Sequence, residues 1–239
     1  MIRTERAADG EYRTVMIDRP EARNALTPDA LDALETAVVG ADEPVVLLRG
    51  AGSAFCAGAD LDVVETRDDP AAFAGRGQRV AEAIESADAV VVAGVDGAAR
   101  GGGVELALAC DLRVATPEAT FAETGVSLGL FGAWGGTARL PRIVGEGVAL
   151  DIACSARVVE AEEARDVGLV SRVVTDPAIV AREVAANDPE APAAVTMLGP
   201  PGRGGADTYP DERARVARLP RAPLCGASGP RSGESSAPR

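Results

Sequence analysis

Three consecutive glycines run into an apolar stretch that holds a single acid: Arg100 to Cys110 reads RGGGVELALAC. Around Glu105 every residue from Val104 to Cys110 is apolar, and a helix that is apolar all round is a buried helix. A carboxylate buried there is costly unless it is paired, protonated or used. The glycines sit where a helix N-terminus presents free N–H groups, and they let backbone come close to a ligand. Such a terminus suits a developing negative charge. Free donors beside a perturbed carboxyl fit oxyanion and proton-transfer chemistry. The plainer alternative is a glycine turn with Glu105 ion-paired to Arg100 or Arg113, and both readings stand at this point.

Strand and helix signals alternate along the chain, so the class is α/β. Residues 1–20 read as two strands joined by Ala8-Asp9-Gly10. Thr27 caps a helix with Pro28 at its first position, and Leu31, Leu34 and Val38 share one face. Residues 44–48 and 89–95 read as buried strands. The small residues from Gly50 to Leu61 form a strand-to-helix loop whose backbone can approach a ligand. A helix starts at Asp69-Pro70, with Phe73, Val80 and Ile84 on one face. Further strands are expected at 111–115, 120–122 and 169–174. Further helices are expected near Thr137 and Val148, at 160–167 and at 177–186.

Composition narrows the chemistry. The 239 residues contain no histidine, which excludes a histidine base or a histidine-ligated metal. All 24 bases are arginine against 37 acids, and the net charge of −13 disfavours nucleic acid. An acidic, lysine-free surface suits a salt-loving or GC-rich source. Cys56, Cys110, Cys154 and Cys225 show no CxxC spacing and read as reduced, mostly buried thiols. No apolar run approaches the ~20 residues of a membrane span, and the charged first residues do not resemble a signal peptide. The expected setting is the cytoplasm. Neither GxGxxG nor GxxxxGK[ST] follows a strand, which argues against a nucleotide-binding loop.

Five ordered segments together resemble the enoyl-CoA hydratase/isomerase (crotonase) family. They are RPEARNAL at 19–26, GSAFCAGADL at 52–61, DGAARGGGVELALACDLRVA at 96–115, FAETGVSLGL with GGTARLPRIVG across 121–145, and ARVVEAEEARDVGLVSRVV at 156–174. The resemblance covers about residues 10–187. It implies a core of repeated ββα units wound as a spiral, assembly as a trimer or a dimer of trimers, and an acyl-CoA or enoyl-CoA substrate. No separate cofactor is implied, since CoA enters as part of the thioester, and no metal. By matched position, the N–H groups of Ala59 and Gly102 would hold the thioester oxygen as it becomes an enolate. Glu105 matches one of two acids that position water and move protons. Arg23, Ala25, Ala57, Gly58, Asp60, Leu61, Gly101, Gly125 and Trp134 fall on candidate substrate-binding positions, with Arg23 a candidate for CoA phosphate.

Three departures from the family pattern bear on function. The second acid lies four residues after the Phe matched by Phe121, and that position is Gly125. Glu123 lies two residues earlier, on the same face if the segment is extended. Asp62 stands where a basic residue often meets CoA phosphate. Residues 188–239, rich in Pro, Gly and Arg, do not look like the family's closing helices. They read as a poorly ordered or degenerate tail, or as a terminus altered by a late reading-frame change, following an acyl-CoA-binding domain at 1–187. The expected function is hydration or shifting of a double bond beside a thioester, with weak hydration because of Gly125. The alternative is a CoA-thioester-binding or partner-assembly protein with little turnover.

Overall fold

The structure is a computed structural model, and it describes residues 1–8, 10–66, 69–188 and 190–197. The strands are β1 (Ile2–Arg6), β2 (Arg13–Ile17), β3 (Val45–Gly50), β4 (Ala54–Cys56), β5 (Val90–Val95), β6 (Ala98–Arg100), β7 (Leu112–Ala115), β8 (Thr120–Ala122), β9 (Val159–Glu160) and β10 (Arg172–Val173). The helices are α1 (Pro28–Val39), α2 (Leu61–Thr66), α3 (Pro70–Glu85), α4 (Gly102–Ala109), α5 (Gly136–Val144), α6 (Glu146–Ser155), α7 (Ala161–Asp166), α8 (Ala178–Ala185) and α9 (Glu190–Met197).

Two sheets share the work. The first has the order β1-β2-β3-β5-β7-β10, with β1 antiparallel to β2 and every other pairing parallel. The second has the order β4-β6-β8-β9, parallel until β9. Along the chain β3, β5 and β7 join the first sheet, and the strand that follows each, β4, β6 and β8, joins the second. A helix comes next each time, so the expected ββα repeat of a mixed α/β fold is present. All six residues of β5 are buried, as expected of a parallel strand covered on both faces.

The local signals act where they were read. Thr27 accepts the Ala30 N–H as the α1 cap, and Leu31, Leu34 and Val38 turn into the core. Each such side chain contributes about 1.5–3 kcal/mol on burial. Asp69 caps α3 by accepting the Ala72 N–H, and Phe73, Val80 and Ile84 are buried. Two three-residue strands were not expected: β4 lies within the loop read from Gly50 to Leu61, and β6 ends just before the glycine run. They are too short and too rich in small residues to show a period. Of the thiols, Cys56 and Cys110 are buried, Cys154 is exposed, contrary to the general expectation of burial, and Cys225 lies outside the described residues.

Past Asn187, α9 adds a helix at Glu190–Met197 within the segment read as a tail. The tail reading for 198–239 lies outside the described residues. Among the described residues no helix is long and apolar enough to cross a membrane.

Candidate active site

The second sheet and α4 bring two backbone loops into contact. Gly58 has φ +87°, and a Cβ there would lie 2.8 Å from both Arg100 O and Gly102 N. Only glycine permits this crossing, which seats Ala59 beside the first turn of α4. Ala59 also forms a parallel bridge with Leu26. That bridge uses the N–H groups of Leu26 and Asp60, bonded to Gly58 O at 2.8 Å and Leu26 O at 3.0 Å. The N–H of Ala59 itself is left out of it. Gly102 opens α4, where the first N–H groups have no intrahelical acceptor.

Asn24 ties this arrangement down, and it was not singled out in the sequence. It is fully buried. Its Nδ2 donates to Ala51 O at 2.9 Å and Ala54 O at 2.7 Å, and its Oδ1 accepts the Arg19 N–H at 2.9 Å. Its φ of +60° is tolerated by Asn better than by most residues. An Asn just after Arg-Pro-Glu-Ala-Arg was the available signal. Arg19 also pairs with Asp60, and that hydrogen bond holds the Asp60 carboxyl below its usual range despite burial.

Glu105 lies on α4 and is buried. Its partners are backbone rather than Arg100 or Arg113. Oε1 accepts the N–H groups of Trp134 at 2.8 Å and Gly136 at 2.7 Å. The carboxylate therefore caps the N-terminus of α5, where negative charge is favoured. Both bonds fall on Oε1, and Oε2 is the oxygen left for a ligand. A Cβ on Gly136 would sit 2.8 Å from Glu105 Cγ, so a side chain at 136 would displace the carboxyl. Burial raises the Glu105 pKa, and the two N–H bonds and nearby Arg139 oppose the rise.

Glu123 shares the cavity but not the partners. It is buried, and Oε1 has no hydrogen-bond partner. Burial first, and then the charge of Glu105, push its pKa up to about 8. One carboxyl is thus bonded in place while the other is orphaned and held in its neutral form at pH 7. Paired carboxyls in such contrasting environments divide into acid and base.

The cavity holds about 360 Å³, and its wall includes Ala57, Ala59, Leu61, Gly101, Gly102, Glu105, Glu123, Gly125 and Trp134. Nine of the expected positions therefore converge. Arg23, Ala25, Gly58 and Asp60 are not part of the wall. Gly58 is spent on the loop crossing, and Asp60 faces Arg19. Ala25 gives its carbonyl to Arg19. Arg23 is exposed on the adjoining loop, near enough to Arg100 to act on its charge. Trp134 both lines the cavity and belongs to the core. Its indole lies between Gly77 of α3 and Gly102, either of which would collide with it if given a Cβ, and Phe73 meets it edge-on at 6.1 Å. The Cys56 thiol, raised to about 12 by burial, is packing and not a nucleophile. Among the described residues no cluster of three or more metal-ligating side chains occurs.

Two backbone loops that cross at Gly58 and Gly102 share one apolar cavity with two buried carboxyls, on a ββα scaffold of the α/β class. The family model for enoyl-CoA hydratase/isomerase matches residues 12–197, and the chain belongs to that family. It is 42% identical over 169 residues to crotonyl-CoA hydratase of Syntrophomonas wolfei, covering 66% of this chain and 64% of that protein. It is 38% identical over 173 residues to short-chain-enoyl-CoA hydratase of Clostridium acetobutylicum, covering 70% and 66%. The chain thus spans a little under two thirds of the length of these relatives. Among solved structures, enoyl-CoA hydratase from Bacillus anthracis superposes with a TM-score of 0.82 at 30% identity, covering 92% of both chains. Pseudomonas aeruginosa DspI gives 0.84 at 32% identity, covering 93% and 89%.

Proposed function

We propose that this protein is an enzyme that hydrates, or shifts, a double bond beside an acyl-CoA thioester. The observation that carries the reading is the meeting, in one apolar cavity, of the Ala59 and Gly102 loops with Glu105 and Glu123. The thioester oxygen is held by the two N–H groups as it gains charge; one such donor is typically worth ~10²–10³ in rate. In hydration, Glu105 takes a proton from water as the oxygen bonds to the β-carbon. The electron pair moves to the thioester oxygen, and the enolate then collects a proton at the α-carbon from neutral Glu123. In a double-bond shift, Glu105 removes a proton from the γ-carbon and returns it at the α-carbon. Gly125, where no acid stands, favours the shift, while the place of Glu123 in the cavity favours hydration. No separate cofactor is needed.

Arg23, exposed beside Arg100, is the candidate contact for CoA phosphate. Assembly from trimers fits the exposed apolar side chains of Val126, Leu128, Leu130, Phe131 and Leu150, and the buried free thiols Cys56 and Cys110 fit a cytoplasmic setting. A steady-state assay on a panel of enoyl-CoA thioesters tests the function. Turnover of at least one thioester is expected, with acyl-CoA but not NAD or ATP raising the melting temperature. Thermal stabilisation by acyl-CoA without turnover of any of them would make the protein a binder instead.

A further inference from the structure

A second cavity, of about 140 Å³, lies beside Glu123 between the turn at Thr124–Leu128, α5 and α6. It shares Glu123, Gly125, Phe131 and Gly132 with the first cavity, so the two adjoin next to one of the carboxyls proposed to act on substrate. Two of those four residues are glycines, so only the Glu123 and Phe131 side chains stand in the shared wall. Position 125 has room for one: a Cβ there would meet nothing nearer than 3.4 Å. The far wall is aliphatic, from Leu140 and Pro141 of α5 and Ala149, Leu150 and Ala153 of α6. The first cavity has an apolar continuation of its own past Val64, Phe73 and Leu130. Two apolar spaces therefore adjoin at Glu123, the carboxyl that lines both. A straight acyl chain fills one of them. An acyl group that forks beside the reacting carbons fills both.

We infer that the second cavity is a branch pocket, and that the acyl thioester bound here carries a second, uncharged aliphatic arm next to its reacting carbons. The inference rests on the acyl-CoA reading above. The volume is that of roughly four or five water-sized groups, each about 30 Å³, enough for a propyl arm. Each methylene buried there strengthens binding about fourfold.

Trp134 is the single tryptophan of the chain and lines the first cavity, so its fluorescence reports binding without turnover. Two saturated isomers are compared on the full chain: 2-propylpentanoyl-CoA, which forks, and octanoyl-CoA, which does not. Ala149→Phe and Ala153→Leu each fill the branch pocket. Both are expected to weaken the forked isomer by about tenfold or more and the straight one by less than about twofold. Ala149 is buried and Ala153 half-exposed, so Ala153→Leu carries the comparison should Ala149→Phe fail to fold. Equal loss for both isomers, or loss for neither, overturns the branch pocket while leaving acyl-CoA binding intact. If the wild type binds neither isomer, the acyl-CoA reading falls with it.

Discussion

On one side of the cavity, the 57–60 loop and the first turn of α4 are fixed by backbone. Asn24 donates to the carbonyls of Ala51 and Ala54, Arg19 grips Asp60, and Gly58 crosses Gly102 too closely for a Cβ to fit. On the other side, residues 123–131 hold an orphaned carboxyl and expose Val126, Leu128, Leu130 and Phe131. Glu105 belongs to the first wall but caps α5, the helix that follows the second. The contrast separates two jobs. On the proposed function, the wall that places N–H groups has its buried side chains Asn24 and Asp60 tied by hydrogen bonds. The wall proposed to shape the substrate leaves apolar side chains exposed and one carboxyl oxygen without a partner.

The sharpest way to break this comparison is at Glu105. Glu105→Gln keeps the shape and an acceptor oxygen for the Trp134 and Gly136 N–H groups but removes the base. We expect kcat to fall by at least ~10² with acyl-CoA binding retained. Unchanged turnover in a steady-state assay would reduce Glu105 to a helix cap.

Glu123 offers the next largest effect. Its folded pKa is raised from 4.5 to about 8, so the native state holds a proton that the unfolded chain releases between those values. Stability from this group is full below about pH 4.5 and lost as pH rises through 8. Glu123→Gln should therefore melt like wild type near pH 4.5 and be more stable by on the order of a few kcal/mol at pH 9. Equal melting temperatures across that range would show the carboxyl to be solvated.

Gly102→Ala tests the tied wall. A Cβ there meets the indole of Trp134, and overpacking of this kind costs about 1–3 kcal/mol. Urea unfolding followed by Trp134 fluorescence measures the cost, and a shift in the native emission would show the ring displaced. The smallest effect belongs to the exposed wall. Phe131→Ser should change the stability of the single chain by no more than about 0.5 kcal/mol in the same experiment, and a larger loss would place Phe131 in a packed contact, within the fold or between copies, rather than on an open wall.

These two walls also differ in how far they could be read from sequence. The repeat of buried strands, the Thr27 and Asp69 caps and the all-apolar setting of Glu105 follow from local pattern, and the structure shows each. The strands β4 and β6 escaped because three residues are too few to show a period. The bonding of Asn24 and the capping of α5 by Glu105 escaped because they join residues ~30 positions apart, and nothing local marks such a pair. For Glu123 the spacing from Phe121 argued for the same face, but its lack of a partner depends on what the 124–136 segment packs against. The departure at Gly125 was visible, and the cavity behind it was not.

The most direct measurement follows deuterium into the α-carbon of butyryl-CoA in D2O by proton NMR. It detects the enolate itself, whether the physiological reaction is hydration or a double-bond shift. With the Ala59 and Gly102 N–H groups holding the oxygen and Glu105 as the base, the wild type should exchange the α-protons and Glu105→Gln should do so at least ~10²-fold more slowly. A wild type that binds butyryl-CoA without exchanging its α-protons, or a Glu105→Gln variant that exchanges them equally fast, would contradict it.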